Sequence, residues 1–242
     1  MPKKQFIRPL DIFLIVVILL MSCGLLFMSV VPQHGPEPTV GYTVTMPVPA
    51  VDSHGNGVAA NLVVETKKGS GKTLANIDVL LFWVDTQQSI QTAKDVAEEL
   101  TGVDTASVDL IYGIDAKNVS LIGGPSAGAA LTVATIAVLE GKQPSTDVMI
   151  TGTVEANRSI GPVGGVMEKA KAAKAAGAKT FLVPPGESVD TLTEPVENCT
   201  DETGFRYCEK SYKRRTVNIG EEVGLDVFEV SDISGALPYF FQ

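Results

Sequence analysis

Apolar residues recur along this chain with different periods, and each period predicts a different kind of element. From 12 to 31 the run IFLIVVILLMSCGLLFMSVV is free of charge. A helix of about 20 such residues, rising about 1.5 Å per residue, spans a bilayer core, so this segment is an expected transmembrane helix. Apolar β-type runs bounded by Gly, Pro, Asn or Asp fall at 42–48, 58–65, 108–114, 148–154 and 180–183. Ile90, Ala93, Val96, Ala97 and Leu100 repeat at helical spacing and predict a helix over 86–100. An Ala-rich stretch over 126–140 ends at Gly141, and a further helix over 166–176 ends at Gly177. The pattern is that of an α+β protein. The Pro- and Gly-rich residues 32–41, PQHGPEPTVG, read as a spacer. The expected layout is therefore an N-terminus over 1–11, a transmembrane helix over 12–31, a spacer over 32–41 and a single domain over 42–242.

Charge orients this layout. Lys3, Lys4 and Arg8 precede the apolar run, and the next cationic side chain is Lys67, which places the N-terminus in the cytoplasm and the domain outside it. A cleaved signal peptide is the other reading of the run, although no Ala-x-Ala site follows it. A net charge of −9 and a pI near 4.8 exclude a general grip on nucleic acid, which needs a basic surface. Cys23 sits inside the apolar run. Cys199 and Cys208 flank the polar stretch TDETGFRY, where a disulfide across a hairpin or loop and a pair of free thiols are both open. With no His or further Cys beside them, no metal site is expected. Asn118, Asn157 and Asn198 each begin an N-x-Ser/Thr triplet, a short pattern that arises often by chance.

Some strings suggest chemistry. Lys68-Gly69-Ser70-Gly71-Lys72-Thr73 resembles the end of a phosphate-binding loop, but Thr66 stands where the pattern requires Gly, so a Gly-rich basic turn is expected and no ATP site. In Gly123-Gly124-Pro125-Ser126-Ala127-Gly128 the small neighbours of Ser126 leave room for a substrate carbonyl, and the N–H groups of a helix start suit an oxyanion. Taken alone, this segment reads first as an N-cap at Ser126. In Gly161-Pro162-Val163-Gly164-Gly165-Val166-Met167-Glu168-Lys169-Ala170, Lys169 falls at the edge of the face formed by Val166, Ala170 and Ala173, while Lys171 points away. A buried lysine loses charge and can act as a general base, whereas a snorkelling lysine keeps its ammonium wet. His34 lies in the spacer and His54 in a polar turn, which leaves a serine–lysine pair as the more economical nucleophile and base.

Together, GGPSAG around Ser126 and GGVMEK around Lys169, 43 residues apart, resemble the proteolytic domain of the Lon protease family. The likeness runs from about residue 46 to 185 and includes VVETKKGSGK, TQQSIQTAKDV and AAKAAGAKTFLVP. It implies a serine endopeptidase with a Ser126–Lys169 dyad, Thr151 as the residue that orients the lysine, and Gly124, Pro125 and Ala127 as the oxyanion-hole loop. It also implies unfolded or flexible polypeptides as substrates, homo-oligomeric assembly and no cofactor. The chain departs from ATPase-fused members at Gly123, where they carry an acidic residue, and no ATPase module is read in the sequence. The expectation is a membrane-anchored, ATP-independent peptidase. The alternative is a tethered binding or assembly protein of the same fold with weak catalysis.

Overall fold

The computed structural model describes residues 35–76, 84–115 and 124–241, together with Leu10, Phe13, Leu14, Val16, Val17, Ile18 and Met21. The chain divides into two units, Met1–Gly35 and Pro36–Gln242. Most of the predicted spanning run lies outside the described residues. Those of its positions that are described are helical and exposed. Among the described residues no helix is long and apolar enough to cross a membrane.

The second unit is α+β. Strands β1 (Thr43–Val51), β2 (Gly57–Lys68), β3 (Thr73–Ala75) and β4 (Val108–Asp115) form a sheet in the order β1-β2-β4-β3. β2 pairs antiparallel with β1 and β4, while β3 runs parallel to β4. The buried residues of β1 and β2 alternate, as half-buried strands require: Val44, Met46 and Val48 on one, Ala60, Leu62 and Val64 on the other. Helix α1 (Val84–Thr101) and helix α2 (Gly128–Glu140) belong to the same core through Ile90, Val96, Leu131 and Ile136. From Gly128 to Leu139 every residue of α2 is buried, so this helix is a central element without a wet face. Its C-cap, Gly141, is left-handed as the sequence predicts.

A parallel sheet in the order β11-β8-β5 joins β5 (Val148–Ile150), β8 (Thr180–Val183) and β11 (Asp226–Glu229), with helix α3 (Val166–Ala175) contributing to a second cluster through Val166, Met167, Ala170 and Ala173. The strand predicted over 148–154 is interrupted. β6 (Thr153–Val154) pairs instead with β7 (Ile160–Gly161), because Thr151 and Gly152 turn their polar groups to the loop that carries Ser126.

Some features depart from the sequence reading. Residues of the predicted spacer bond to the domain, Thr39 N–H to Leu139 O at 3.1 Å and Gly41 N–H to Thr66 O at 2.9 Å. A long antiparallel ribbon, β9 (Val189–Glu202) and β10 (Phe205–Asn218), extends well beyond the cysteine loop that the sequence suggests at its tip. Cys199 and Cys208 pair directly across it and are joined by a disulfide. The bond consumes both thiolates, so their proximity to Glu197 does not make a metal site. Helix α4 (Ile219–Val223) and helix α5 (Ile233–Phe240) complete the domain.

Candidate active site

The Gly-rich basic turn is a structural device. Asp109 Oδ1 accepts from Ser70 N–H at 2.8 Å and Lys72 N–H at 2.9 Å, and Gly69 N–H donates to Ser107 O at 3.0 Å. These are amides that a phosphate would need. The two donated bonds hold the Asp109 carboxyl below its usual range.

The serine loop is built differently from the sequence expectation. Pro125–Ala127 form a single 3₁₀ turn, and α2 begins only at Gly128, with no side-chain cap on either segment. Ser126 is half-buried and its hydroxyl caps no helix, which removes the N-cap reading. Its backbone is clamped instead. Ser126 O accepts from Gly152 N–H at 3.0 Å and from Thr151 Oγ1 at 3.2 Å, and Ala129 N–H donates to Gly152 O at 3.0 Å. Thr151 is thus a fully buried prop under the serine, and its hydroxyl is spent on that carbonyl in this structure. Gly124 enters the turn with φ 114°, a backbone that only glycine adopts without strain.

The donors assigned to an oxyanion narrow accordingly. Pro125 has no N–H, and the Gly124 N–H donates to Thr86 Oγ1 at 3.3 Å, so neither supplies one in this state. The amides of Ser126 and Ala127, at the start of the helical run, are the donors left in the described loop. Thr86, buried in the first turn of α1, is missed by sequence reasoning, and no local signal separates it from any other early helical threonine. Gly123 lies outside the described residues, as does Asn118. Asn157 is exposed and its Oδ1 accepts from Ser159, while Asn198 is exposed on the ribbon.

Lys169 stands one turn into α3 and is only 3% exposed, so it does not snorkel. Among the described residues its Nζ has no ion pair. Burial pulls its pKa from 10.5 down to about 8, while the charge of Glu187 acts in the opposite direction. Lys171, two residues on, is exposed.

Ser126 and Lys169 line one cavity of about 460 Å³. Its walls come from the end of β1 (Val48 to Val51), from Thr86, from the Gly124–Ala127 loop and from the Pro162–Gly165 loop. The space joins a hydroxyl free of structural duty to an amine whose charge is disfavoured, which is the arrangement needed to activate a serine. His54 lies in an exposed turn, 3.9 Å from Asp52, and is not part of the cavity.

Residues 120–213 match the family described as Lon protease (S16) C-terminal proteolytic domain. The archaeal Lon protease of Methanocaldococcus jannaschii is 31% identical over 180 residues, which are 71% of this chain and 27% of that protein. The Lon protease of Haemophilus influenzae is 43% identical over 75 residues, 31% of this chain and 9% of that one. Lon protease 2 of Syntrophobacter fumaroxidans is 39% identical over 72 residues, 30% of this chain and 9% of the relative. The matched part of these relatives is thus between 9% and 27% of their length.

Proposed function

We propose, from the premise that the chain carries a Lon-type proteolytic domain, that it is a serine endopeptidase in which Ser126 is the nucleophile and Lys169 its base. One observation carries the assignment: a serine hydroxyl that caps nothing and a buried lysine without an ion-pair partner open on the same cavity. Neutral Lys169 Nζ takes the proton from Ser126 Oγ as that oxygen attacks the peptide carbonyl carbon. The amides of Ser126 and Ala127 hold the developing oxyanion. The lysine ammonium then returns its proton to the leaving amine as the C–N bond breaks, and a water molecule, deprotonated by the same lysine, hydrolyses the acyl-enzyme. Thr151 fixes the serine carbonyl, and through it the distance between the two halves of the site.

The substrates of this reading are unfolded or flexible polypeptides, which can enter a cavity beside a strand end, and cleavage proceeds without ATP. The engagement of the Gly-rich turn with Asp109 supports the second point. Residues 12–31 anchor the protein in a membrane with the N-terminus cytoplasmic and the peptidase domain outside. The exposed apolar side chains Phe13, Leu14, Ile18 and Met21 support the anchor, and a disulfide at Cys199–Cys208 suits an oxidising compartment. The family resemblance adds homo-oligomeric assembly, which light scattering of the purified protein tests.

The activity is tested by incubating the purified protein with an unstructured polypeptide in the absence of nucleotide. Cleavage is expected from the natural chain and at least about 10³-fold less from Ser126→Ala and Lys169→Ala. Full activity in both variants overturns the assignment. Covalent labelling of Ser126 by a serine-directed probe separates a peptidase from a binding protein of the same fold.

A further inference from the structure

Behind the cavity stands a carboxylate that the peptide cleavage above does not use. Glu187 follows β8 in a turn closed by its own N–H to Pro184 O at 3.1 Å. Its Oε1 accepts from Val163 N–H at 2.9 Å. Its Oε2 is buried and has no hydrogen-bond partner among the described residues. A buried carboxylate oxygen left bare is costly, so its retention calls for a cation that needs it.

The surroundings identify that cation. Val163 and Gly165 line the Ser126 cavity and also a smaller hollow of about 200 Å³ that contains Glu187. One glycine-rich loop therefore separates Glu187 from the cavity, and that loop leads into α3, where Lys169 stands one turn on. Of the elements packed on α3, β1 and β8 carry no ionisable side chain. Those of β2 are Glu65, Lys67 and Lys68, at the far end of the strand from Gly57, which abuts the Glu168 carbonyl. Those of α4, Glu221 and Glu222, are exposed, and Glu222 pairs with Arg215. On α3 itself Lys171 and Lys174 are exposed, and Glu168 is half-buried without acting on Lys169. The charge of Glu187 opposes the effect of burial on Lys169.

We infer that Glu187 is the positioning residue of the lysine: one oxygen clamps the Val163 amide and with it the Pro162–Gly165 wall, and the other supplies the negative charge for the Lys169 ammonium. The inference rests on the serine–lysine reading. In that cycle the proton taken from Ser126 resides on Lys169 until the leaving amine receives it, and Glu187 steadies the cation over that interval without touching the reacting atoms. A carboxylate at a distance, rather than in an ion pair, leaves the amine able to lose its proton again.

The test is competitive acylation of the intact chain with acetic anhydride at a series of pH values, with the Lys169 peptide followed by mass spectrometry. Glu187→Gln keeps an oxygen for the Val163 amide and removes the charge. The midpoint of Lys169 acylation is expected to fall by about half a pH unit or more, which is about threefold more modification near pH 7.5. The acid limb of kcat/KM is expected to move the same way, with kcat at high pH retained within a few-fold. Glu187→Ala also loses the clamp, and kcat is expected to fall about 10-fold or more. An acylation midpoint in Glu187→Gln equal to that of the natural chain overturns the inference, whether or not the alanine variant folds. A natural chain that cleaves nothing, but whose Lys169 midpoint still responds to Glu187→Gln, overturns the peptidase reading and leaves the coupling of Glu187 to Lys169 in place.

Discussion

Helix α3 and the ribbon β9–β10 invert the ordinary distribution of side chains in opposite directions. The helix buries a lysine, whereas the ribbon exposes Phe205, Tyr207 and Tyr212. Along β10, Val217 is the one buried residue of the strand. Each departure needs its own support. α3 belongs to a cluster of fully buried apolar residues, Met149, Met167, Ala170 and Phe181 among them, whose burial outweighs one disfavoured amine. Beyond Leu192 and Val217, which join that cluster at its base, the ribbon has no such core. It rests on a long ladder of backbone pairs and on the Cys199–Cys208 bond, while exposed ion pairs such as Arg215–Glu194 add little. An unfavourable charge can be held where packing is dense, and an isolated hairpin must be held from within.

The largest test of this contrast is Lys169→Met. Loss of the proposed base is expected to lower kcat about 10³-fold while the folded state at pH 7 gains about 2–4 kcal/mol, since the difference between 10.5 and about 8 is an energy that the natural chain bears. The sign follows from the depressed folded value. Below pH 8 the lysine is protonated folded and unfolded, and the penalty is complete. It diminishes as pH rises through the folded value of about 8 and is gone above the unfolded value of 10.5. Thermal melting of both proteins against pH measures the effect, and a gain that does not shrink at alkaline pH breaks the account.

Gly57→Ala comes next. A methyl group there collides with the Glu168 carbonyl and pushes α3 away from β2. A shift of about 1 Å in Lys169 is expected to cost about 10²-fold in kcat, with about 1–3 kcal/mol of stability, and denaturant unfolding separates the two. Reduction of Cys199–Cys208 is expected to remove about 2–3 kcal/mol of local stability from the ribbon. Hydrogen exchange should then accelerate in β9 and β10 and stay unchanged in α3. Equal acceleration in both would show that the ribbon is coupled to the core. Arg215→Ala, on a fully exposed pair, is expected to leave the melting temperature unaltered.

The elements with a clear period are legible in the amino-acid order alone: the strands around Val44, Leu62 and Leu110, the Ala-rich helix ending at Gly141, and α3 with Lys169 at the edge of its apolar face. The ribbon is not. Its strands are wet on both faces, so no alternation of apolar and polar residues marks them, and their pairing depends on cross-strand partners. The break at Thr151–Gly152 is hidden for a related reason. The string MITGT reads as continuous strand, and only contact with the Ser126 carbonyl ends it.

The sequence by itself determined the local conformations and the pairing of motifs, because periodicity, glycine placement and the spacing of Ser126 and Lys169 are written along the chain. It left Ser126 as a cap or a nucleophile and Lys169 as wet or buried. Tertiary structure removed the cap and buried the amine, since whether a hydroxyl caps a helix depends on where α2 begins, and whether an amine keeps its charge depends on what packs around it. It also brought Thr86 to the cavity wall and Glu187 behind it. Residues that act on others across the fold carry no periodic or motif signal of their own.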